Sequence, residues 1–184
     1  MYFGPDSFTF RVHDASVDSP SHGQLEGTLP TVIYSPDANY HGPDSFTFKV
    51  NDTSIDSETA TVSIVIDPVN DPPDAVSESI FLMKGETTSE LVGGATSLLS
   101  NDSDIEGHNL LLSTTPVTGP ASGTLVLNSD GSFSYTHDDS FTAVDSFRYE
   151  VCDDGVPNEC STAIVSITID VGIKPEVIHS NGFE

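Results

Sequence analysis

Two short segments hold the residues of this sequence best suited to binding a metal ion. They are Asn70, Asp71, Asp74, Asp102, Asp104 and Glu106. A calcium site needs six to eight oxygen ligands at about 2.3–2.6 Å, which two such segments and nearby backbone carbonyls can supply. The pattern is not an EF-hand, since the twelve-residue spacing, its terminal glutamate and the flanking helices are missing. The sequence therefore predicts a calcium site of another kind, where the two segments converge.

The charge of the chain suits this chemistry. The sequence has 29 acidic and 5 basic residues, a net charge of 5 − 29 = −24, and 19 of the acids are aspartate. Short carboxylates beside turns can ligate a hard cation, although aspartate also forms turns without one. So acidic a chain argues against nucleic acid and anionic membranes as partners, because both need basic patches. Membrane insertion is not expected either, since no apolar run approaches the roughly 18 residues of a span.

Cys152 and Cys160 are the two cysteines of the chain. The alternation of apolar residues in the neighbouring strands places both on the solvent face, at the two ends of one hairpin. A disulfide there would close a short loop, contribute roughly 2–3 kcal/mol and fit an oxidising compartment. A pair of exposed free thiols is the alternative.

The sequence does not indicate catalysis. It has no Gly-x-Ser-x-Gly turn for a nucleophilic serine and no phosphate-binding glycine loop. The paired acids Asp138/Asp139 and Asp153/Asp154 are expected to lie exposed on turns, whereas a glycosidase needs two acids about 5–9 Å apart across a cleft. The six histidines are interpreted as loop residues. We expect that the protein is not an enzyme.

The elements that position these residues are strands, because apolar residues alternate and helical periodicity is nearly absent. The phrase Asp-Ser-Phe-x-aromatic occurs at Asp6, Asp44 and Asp145, and each copy opens an alternating run. A second alternating run follows at 59–66 and at 161–171. Strands with one apolar and one polar face indicate an antiparallel sandwich.

The spacing of the phrase is uneven and predicts modules of unequal length. Residues 74–172 hold a complete set of strands, at 76–83, near 90–92 and at 110–116, 123–127, 132–136, 145–152 and 161–171. Residues 21–73 hold only the later part of that set and a proline-rich linker, residues 1–20 are a leftover strand of a preceding repeat, and residues 173–184 are a tail.

The short module is either natural or the product of an internal deletion. We favour deletion, because the missing strands are contiguous. The short module can fold only if Phe8, Phe10 and Val12 fill a vacant place in its sheet; otherwise its open edges invite pairing with another chain.

In combination, these motifs resemble the tandem cadherin-like and bacterial immunoglobulin-like repeats of large secreted or surface adhesion proteins. The segment Val69-Asn-Asp-Pro-Pro73 resembles their inter-repeat linker, and Asp102-Ser-Asp-Ile-Glu-Gly-His-Asn-Leu110 resembles their Asp-x-Asp loop. The resemblance covers nearly all of residues 21–172. It implies an all-β fold of antiparallel Ig/cadherin-like Greek-key sandwich modules in tandem, the first one truncated.

The resemblance also implies a ligand set. In cadherins the linker and the Asp-x-Asp residues bind calcium and stiffen the rod, which would make ligands of Asn70, Asp71, Asp102 and Asp104. This sequence departs from the family pattern at Met83-Lys84 and at His108, where an acid is common. Each departure removes a ligand oxygen.

These observations predict a non-catalytic structural or adhesive repeat region of an exported bacterial surface protein, stiffened by calcium at the inter-module junction. Its partners would be other repeats of the same chain and protein or glycan ligands at the surface. Because Met1 stands inside a repeat phrase, we expect the export signal upstream of it. The alternative function is a ligand- or carbohydrate-binding accessory module of a secreted multidomain enzyme.

Overall fold

A computed structural model describes residues 8–11, 15–28 and 31–172, which form strands, turns and loops. The chain divides into two compact units, one ending at Val69 and the other beginning at Asn70. The described ranges contain no helix of the length and apolarity that crossing a membrane requires. The predicted tail at 173–184, the first phrase at Asp6, and Val12 lie outside the described residues.

The first unit contains two three-stranded antiparallel sheets. The strands are β1 (Phe8–Arg11), β2 (Ala15–Val17), β3 (Gly23–Thr28), β4 (Thr31–Pro36), β5 (Gly42–Val50) and β6 (Ala60–Ile66). One sheet has the order β1-β4-β3 and the other β2-β5-β6. The backbone of Phe8–Arg11 therefore lies beside β4, opposite Thr31–Tyr34.

The second unit is a larger sandwich. Its strands are β7 (Glu78–Met83), β8 (Thr87–Thr88), β9 (Leu111–Leu112), β10 (Gly123–Leu127), β11 (Phe133–His137), β12 (Val144–Cys152) and β13 (Cys160–Asp170). The sheets have the orders β10-β11-β8 and β7-β13-β12-β9. All neighbours are antiparallel except β7, which runs parallel to β13. The predicted all-β sandwich fold is confirmed, with this one parallel pair in addition.

Two predicted strands of the second unit differ from the structure. The short strand expected near 90–92 is wrong: Leu91 is buried, but Gly93 and Gly94 follow it with positive φ angles, which turn the chain out of an extended path. The short strand at this place is β8 instead. The strand expected at 110–116 is limited to β9, after which the chain continues as a loop.

Alternating residues of both sheets form the core of the second unit. The buried apolar residues are Ile80, Leu82, Leu91, Leu98, Leu112, Leu127, Phe133, Tyr135, Phe147, Tyr149, Val151, Ala163, Val165, Ile167 and Ile169. The buried hydrophobic residues of the first unit's described part are fewer, namely Val32, Tyr34 and Phe46.

The Asp-Ser-Phe phrase has the same structural role in both units. In the first, the Asp44 carboxylate accepts hydrogen bonds from the backbone N–H groups of Ser21, His22 and Ser45 (3.1, 3.1 and 2.8 Å). It also accepts one from the Tyr34 hydroxyl at 2.8 Å. We call this arrangement the Tyr–Asp network.

The second unit repeats the Tyr–Asp network. Asp145 accepts hydrogen bonds from the N–H groups of Ala121, Ser122 and Ser146 (2.9, 2.9 and 2.8 Å) and from the Tyr135 hydroxyl (3.0 Å). Burial acts to raise the pKa of Asp145, but these hydrogen bonds outweigh it and lower the pKa below its usual value. The aspartate of the phrase thus connects the start of its own strand, β5 or β12, to the turn before the hairpin β3–β4 or β10–β11.

A glycine at the first position of each hairpin makes room for the tyrosine of the Tyr–Asp network. A Cβ atom at Gly23 would lie 2.7 Å from the Tyr34 ring, and one at Gly123 would lie 2.7 Å from the Tyr135 ring. Such distances are too short for real contacts, so each hairpin requires glycine at this position.

Two polar features lie at strand ends of the second unit. Cys152 and Cys160 are directly opposite in the β12–β13 register and form a disulfide with a Cα–Cα distance of 4.1 Å.

The interpretation of His137 as a loop residue is wrong, because it ends β11 and is buried. Its Nδ1 accepts hydrogen bonds from the N–H groups of Gly85 and Asp139, both at 3.2 Å, so it holds two turns together.

Candidate functional site

Five polar side chains of the second unit gather at the place where its chain begins. They are Asn70, Asp104, Glu106, His108 and Asp153, and we call them the Asn70 cluster. Asn70 is the first residue of the unit, Asp153 follows β12 directly, and the other three lie in the loop before β9. Loops at one end of a sandwich are fixed by the strands beneath them and commonly carry function.

Asn70 and Asp153 form one side of the cluster. The Asn70 Nδ2 donates to Asp153 Oδ2 at 2.9 Å and to the carbonyl of Pro157 at 3.0 Å. Asp153 Oδ1 accepts from the N–H groups of Gly155 and Glu159 at 2.9 and 3.2 Å. A Cβ atom at Gly155 would overlap Asn70 Oδ1, so that glycine is needed for Asn70 to lie here.

Electrostatics keep Asp153 ionised. Burial acts to raise the pKa of Asp153, but the hydrogen bonds from Asn70 and from the two backbone N–H groups, with the nearby His108, lower it below its usual value. The residue is only 1% exposed. A buried carboxylate held in its charged form favours a cation beside it.

Asp104, Glu106 and His108 form the other side of the cluster. Asp104 Oδ1 accepts a hydrogen bond from the His108 backbone N–H at 2.8 Å and lies 3.5 Å from His108 Nδ1. Glu106 Oε2 accepts from the Asp71 backbone N–H at 3.3 Å. One ligand atom from each of the three side chains lies within 4.8 Å of the other two.

Three atoms of the Asn70 cluster are buried without a hydrogen-bond partner among the residues described: Asn70 Oδ1, Asp104 Oδ2 and His108 Nδ1. The Asp104 side chain is 1% exposed. A buried carboxylate oxygen that receives no hydrogen bond is costly, and an ordered water or a metal ion can satisfy it. Two of the three atoms are oxygens of the kind that calcium binds, so these residues fit a divalent cation.

The structure brings together only part of the predicted ligand set. Asp104 and Glu106 belong to the cluster with His108. Asn70 joins them through Asp153, which lies near His108, and Asp71 reaches the cluster through its backbone. Asp102 lies apart: its carboxylate accepts hydrogen bonds from the Val76 N–H at 2.7 Å and from the Tyr149 hydroxyl at 3.2 Å.

Asp74 belongs with Asp102 and not with the Asn70 cluster. Its backbone pairs with that of Ser103, and its charge helps to raise the pKa of Asp102, which burial raises first. The Val76 N–H and the Tyr149 hydroxyl partly offset that rise. Asp102 therefore connects the loop to the sandwich core.

Sequence reasoning missed Asp153. It was expected to lie exposed on a turn beside Asp154, which is wrong, because Asp153 is buried and only Asp154 is exposed. The signal was available in the alternation of β12: Phe147, Tyr149 and Val151 point inward, and Asp153 continues that parity.

Two family profiles match the sequence, one in each part of the chain. The bacterial cadherin-like domain matches residues 70–171, and the bacterial Ig domain matches residues 15–65. A comparison with curated proteins finds no significant match.

Several solved structures are similar in fold. Human protocadherin-24 EC1-2 is 16% identical over 85% of this chain and 81% of that chain, with a TM-score of 0.47. Protocadherin gamma C5 EC1-3 is 14% identical over 91% of this chain and 62% of that chain, with a TM-score of 0.46. A nucleoside hydrolase-related hypothetical protein from Saccharophagus degradans, associated with carbohydrate metabolism, is 18% identical over 56% of this chain, with a TM-score of 0.43. The matches cover 26% of that last protein and 62% of protocadherin gamma C5 EC1-3, so this chain spans less than two thirds of the length of these two.

Proposed function

Because the chain belongs to the bacterial cadherin-like domain family, we propose that it is a non-catalytic structural or adhesive repeat region of an exported bacterial surface protein. Two successive units of strands with acidic loops suit a chain of modules that extends and presents other regions. The Cys152–Cys160 disulfide supports an extracellular or cell-surface location, since disulfides persist in oxidising compartments. Other repeats of the same protein would be its first partners, with protein or glycan ligands at the surface.

The observation that carries the proposal is the pair of unsatisfied buried oxygens in the Asn70 cluster. We infer that calcium binds there, held by Asn70, Asp104, Glu106 and Asp153. The ion would supply positive charge to oxygens that receive no hydrogen bond and would connect the first residue of the unit to two of its loops. It would also offset part of the net charge of −24.

Calcium titration followed by thermal melting tests this inference. A ligand that binds only the folded state stabilises it by RT ln(1 + [L]/Kd), about 2.7 kcal/mol at a hundred times Kd. We expect the melting temperature to rise at millimolar calcium in the wild type and not in Asp104→Asn. The same substitution at Asp130, on an exposed turn, is the matched control and should keep the rise. No rise in the wild type would overturn the calcium inference.

The separation of Asp102 from the cluster gives a second test. Asp102→Asn should keep the calcium-dependent rise, although it lowers the starting melting temperature by weakening the contact with Tyr149. Loss of the rise in Asp102→Asn would restore the ligand set that the sequence alone predicts.

The accessory-module alternative is not favoured. Sugar-binding surfaces depend on stacking aromatic rings, and the chain contains no tryptophan. Reading the gene upstream of Met1 would separate the two functions. Many further repeats of this kind would support the structural region, and a catalytic domain would support the accessory module.

A further inference from the structure

The two units share a common set of strands, which allows a position-by-position comparison. Phe46 of β5 lies opposite Val62 of β6, as Phe147 of β12 lies opposite Val165 of β13. The Tyr–Asp network occurs at the same place in both. Strands β3, β4, β5 and β6 therefore correspond to β10, β11, β12 and β13.

Strands β1 and β2 occupy places that other strands fill in the second unit. β1 lies on the free side of β4, as β8 lies beside β11. β2 pairs with β5, as β9 pairs with β12. The third partner, β7, pairs with β13 and has no counterpart in the described part of the first unit, where β6 pairs only with β5.

The missing partner changes the burial of the strand beside it. Val165, Ile167 and Ile169 of β13 are at most 3% exposed. Their counterparts in β6, Val62, Ile64 and Ile66, are all partly exposed. Among the residues that the structure describes, the apolar face that is sealed in β13 is thus partly exposed in β6.

Nothing in the sequence of β6 protects this edge. Soluble proteins commonly shield edge strands with charged residues, proline or a bulge. The strand reads Ala-Thr-Val-Ser-Ile-Val-Ile and contains no charge and no proline, and Val65 on its other face is 77% exposed. Such an edge is suited to pairing.

We propose that the open edge of β6 binds an extended strand of another polypeptide, in the parallel direction and in the register that β7 takes against β13. β7 places Ile80 opposite Ile167 and Leu82 opposite Ile169, with both side chains buried. The bound strand would accordingly place two apolar residues opposite Ile64 and Ile66 and add main-chain hydrogen bonds. Because the chain carries a net charge of −24, the strand is neutral or basic.

A labelled peptide with the sequence of residues 76–84, titrated with the whole chain and followed by fluorescence anisotropy, tests the proposal. We expect saturable binding that is lost when Ile80→Asp and Leu82→Asp are introduced in the peptide. Non-saturable binding, or equal binding of both peptides, would overturn it.

A backbone variant locates the binding edge. In the second unit the Ile164 N–H donates to Ser77 Oγ. Ile164, Ser166 and every second residue after them in β13 therefore direct their N–H groups toward β7. Ser63 of β6 corresponds to Ser166, so its N–H points to the open edge. Ser63→Pro should therefore weaken peptide binding at least tenfold, because it removes a donor of the open edge. Unchanged binding would place the peptide elsewhere, for instance in exchange with β7, and would refute the proposal.

Hydrogen exchange keeps the proposal testable if Ser63→Pro does not fold. The amides of Thr61, Ser63 and Val65 should exchange rapidly in the free chain and slowly when the peptide is bound. Slow exchange in the free chain at every concentration would show that the edge is already covered. Protection that appears only as the chain self-associates in sedimentation would assign the edge to a second copy, which also contradicts the proposal.

Discussion

Replacing Asp145 by asparagine should destabilise the second unit by about 2–4 kcal/mol. Four donors converge on its carboxylate at 2.8–3.0 Å, three of them backbone N–H groups. An asparagine side chain has a single oxygen, so in either orientation at least one backbone N–H faces the amide NH₂. Hydrogen bonds to charged groups contribute about 1.5–3 kcal/mol. The donors around Asp145 are exposed or partly buried, so an unpaired one costs less than a fully buried donor, for which the cost is about 1–3 kcal/mol. The remaining hydrogen bonds keep the loss below the sum of these figures.

Thermal melting of the whole chain measures the effect. For a domain of this size 1 kcal/mol corresponds to roughly 4 °C, so the transition of the second unit should fall by about 8–16 °C. Tyr135→Phe removes one hydrogen bond and should cost about 1 kcal/mol. The double variant should cost less than the sum of the single variants, because they share a contact.

Asp130→Asn is the control for the substitution itself. Asp130 lies on an exposed turn and accepts hydrogen bonds from Ser132, which an asparagine oxygen can also accept. It should leave the transition almost unchanged. If Asp145→Asn moved the transition no further than Asp130→Asn, the structural role assigned to the Asp-Ser-Phe phrase would be wrong.

The stabilising effect of Asp145 should also depend on pH in a definite direction. Asp145, like Asp44 and Asp153, has a lowered pKa when folded. Its contribution to stability is complete above the unfolded pKa of about 3.9 and is lost as the pH falls through the lower folded pKa. The difference in melting temperature between wild type and Asp145→Asn should therefore shrink on acidification. Asp102 and Glu78 have raised pKa values, so their effect on stability changes with pH in the opposite direction. The quantity to measure is therefore the difference in melting temperature between wild type and Asp145→Asn at each pH. An equal difference at pH 7 and pH 3 would contradict the argument.

Three other changes test separate contacts of the second unit. Gly123→Ala should destabilise it by about 1–3 kcal/mol through overpacking, whereas Gly119→Ala, where a Cβ atom meets nothing within 4 Å, should not; circular dichroism melts compare them. Reduction of the Cys152–Cys160 disulfide should lower the free energy of unfolding by roughly 2–3 kcal/mol. Mass spectrometry verifies the reduction, and an unchanged melting temperature of the reduced protein would argue against this stabilising role. His108→Asp adds an oxygen ligand and should tighten calcium binding several-fold in calorimetric titration, whereas unchanged binding would exclude His108 from the site.

The alternation of apolar residues was enough to predict the all-β fold, because one buried face imposes a period of two on a strand. It predicted most strands of the second unit within a few residues. It failed near Leu91, where a single buried leucine followed by two glycines does not make a strand. It also did not indicate that β7 runs parallel to β13, since direction depends on where the intervening chain returns and leaves no trace in the alternation.

The candidate site was predictable only in part, because ligand position depends on how a loop bends. Asp102 and Asp104 have the same parity and were expected to converge on one ion. In the structure the Asp102 carboxylate accepts hydrogen bonds from Val76 and Tyr149. The Asp104 carbonyl instead accepts one from the Gly107 N–H, and the φ of 79° at Gly107 bends the chain there. No periodic pattern describes that bend.

The Tyr–Asp network explains how the first unit, whose described part has no counterpart of β7, can still form its sheets. Every partner of Asp44 lies between Ser21 and Ser45, so the network does not depend on the strands that precede it. β1 and β2 then need only to occupy the places beside β4 and β5, where short strands are sufficient in the second unit as well. The place beside β6 is different, because β7 makes a six-residue parallel ladder there that no described segment of the first unit supplies. The described part of the first unit therefore keeps its hairpins and leaves the edge of β6 without a strand partner.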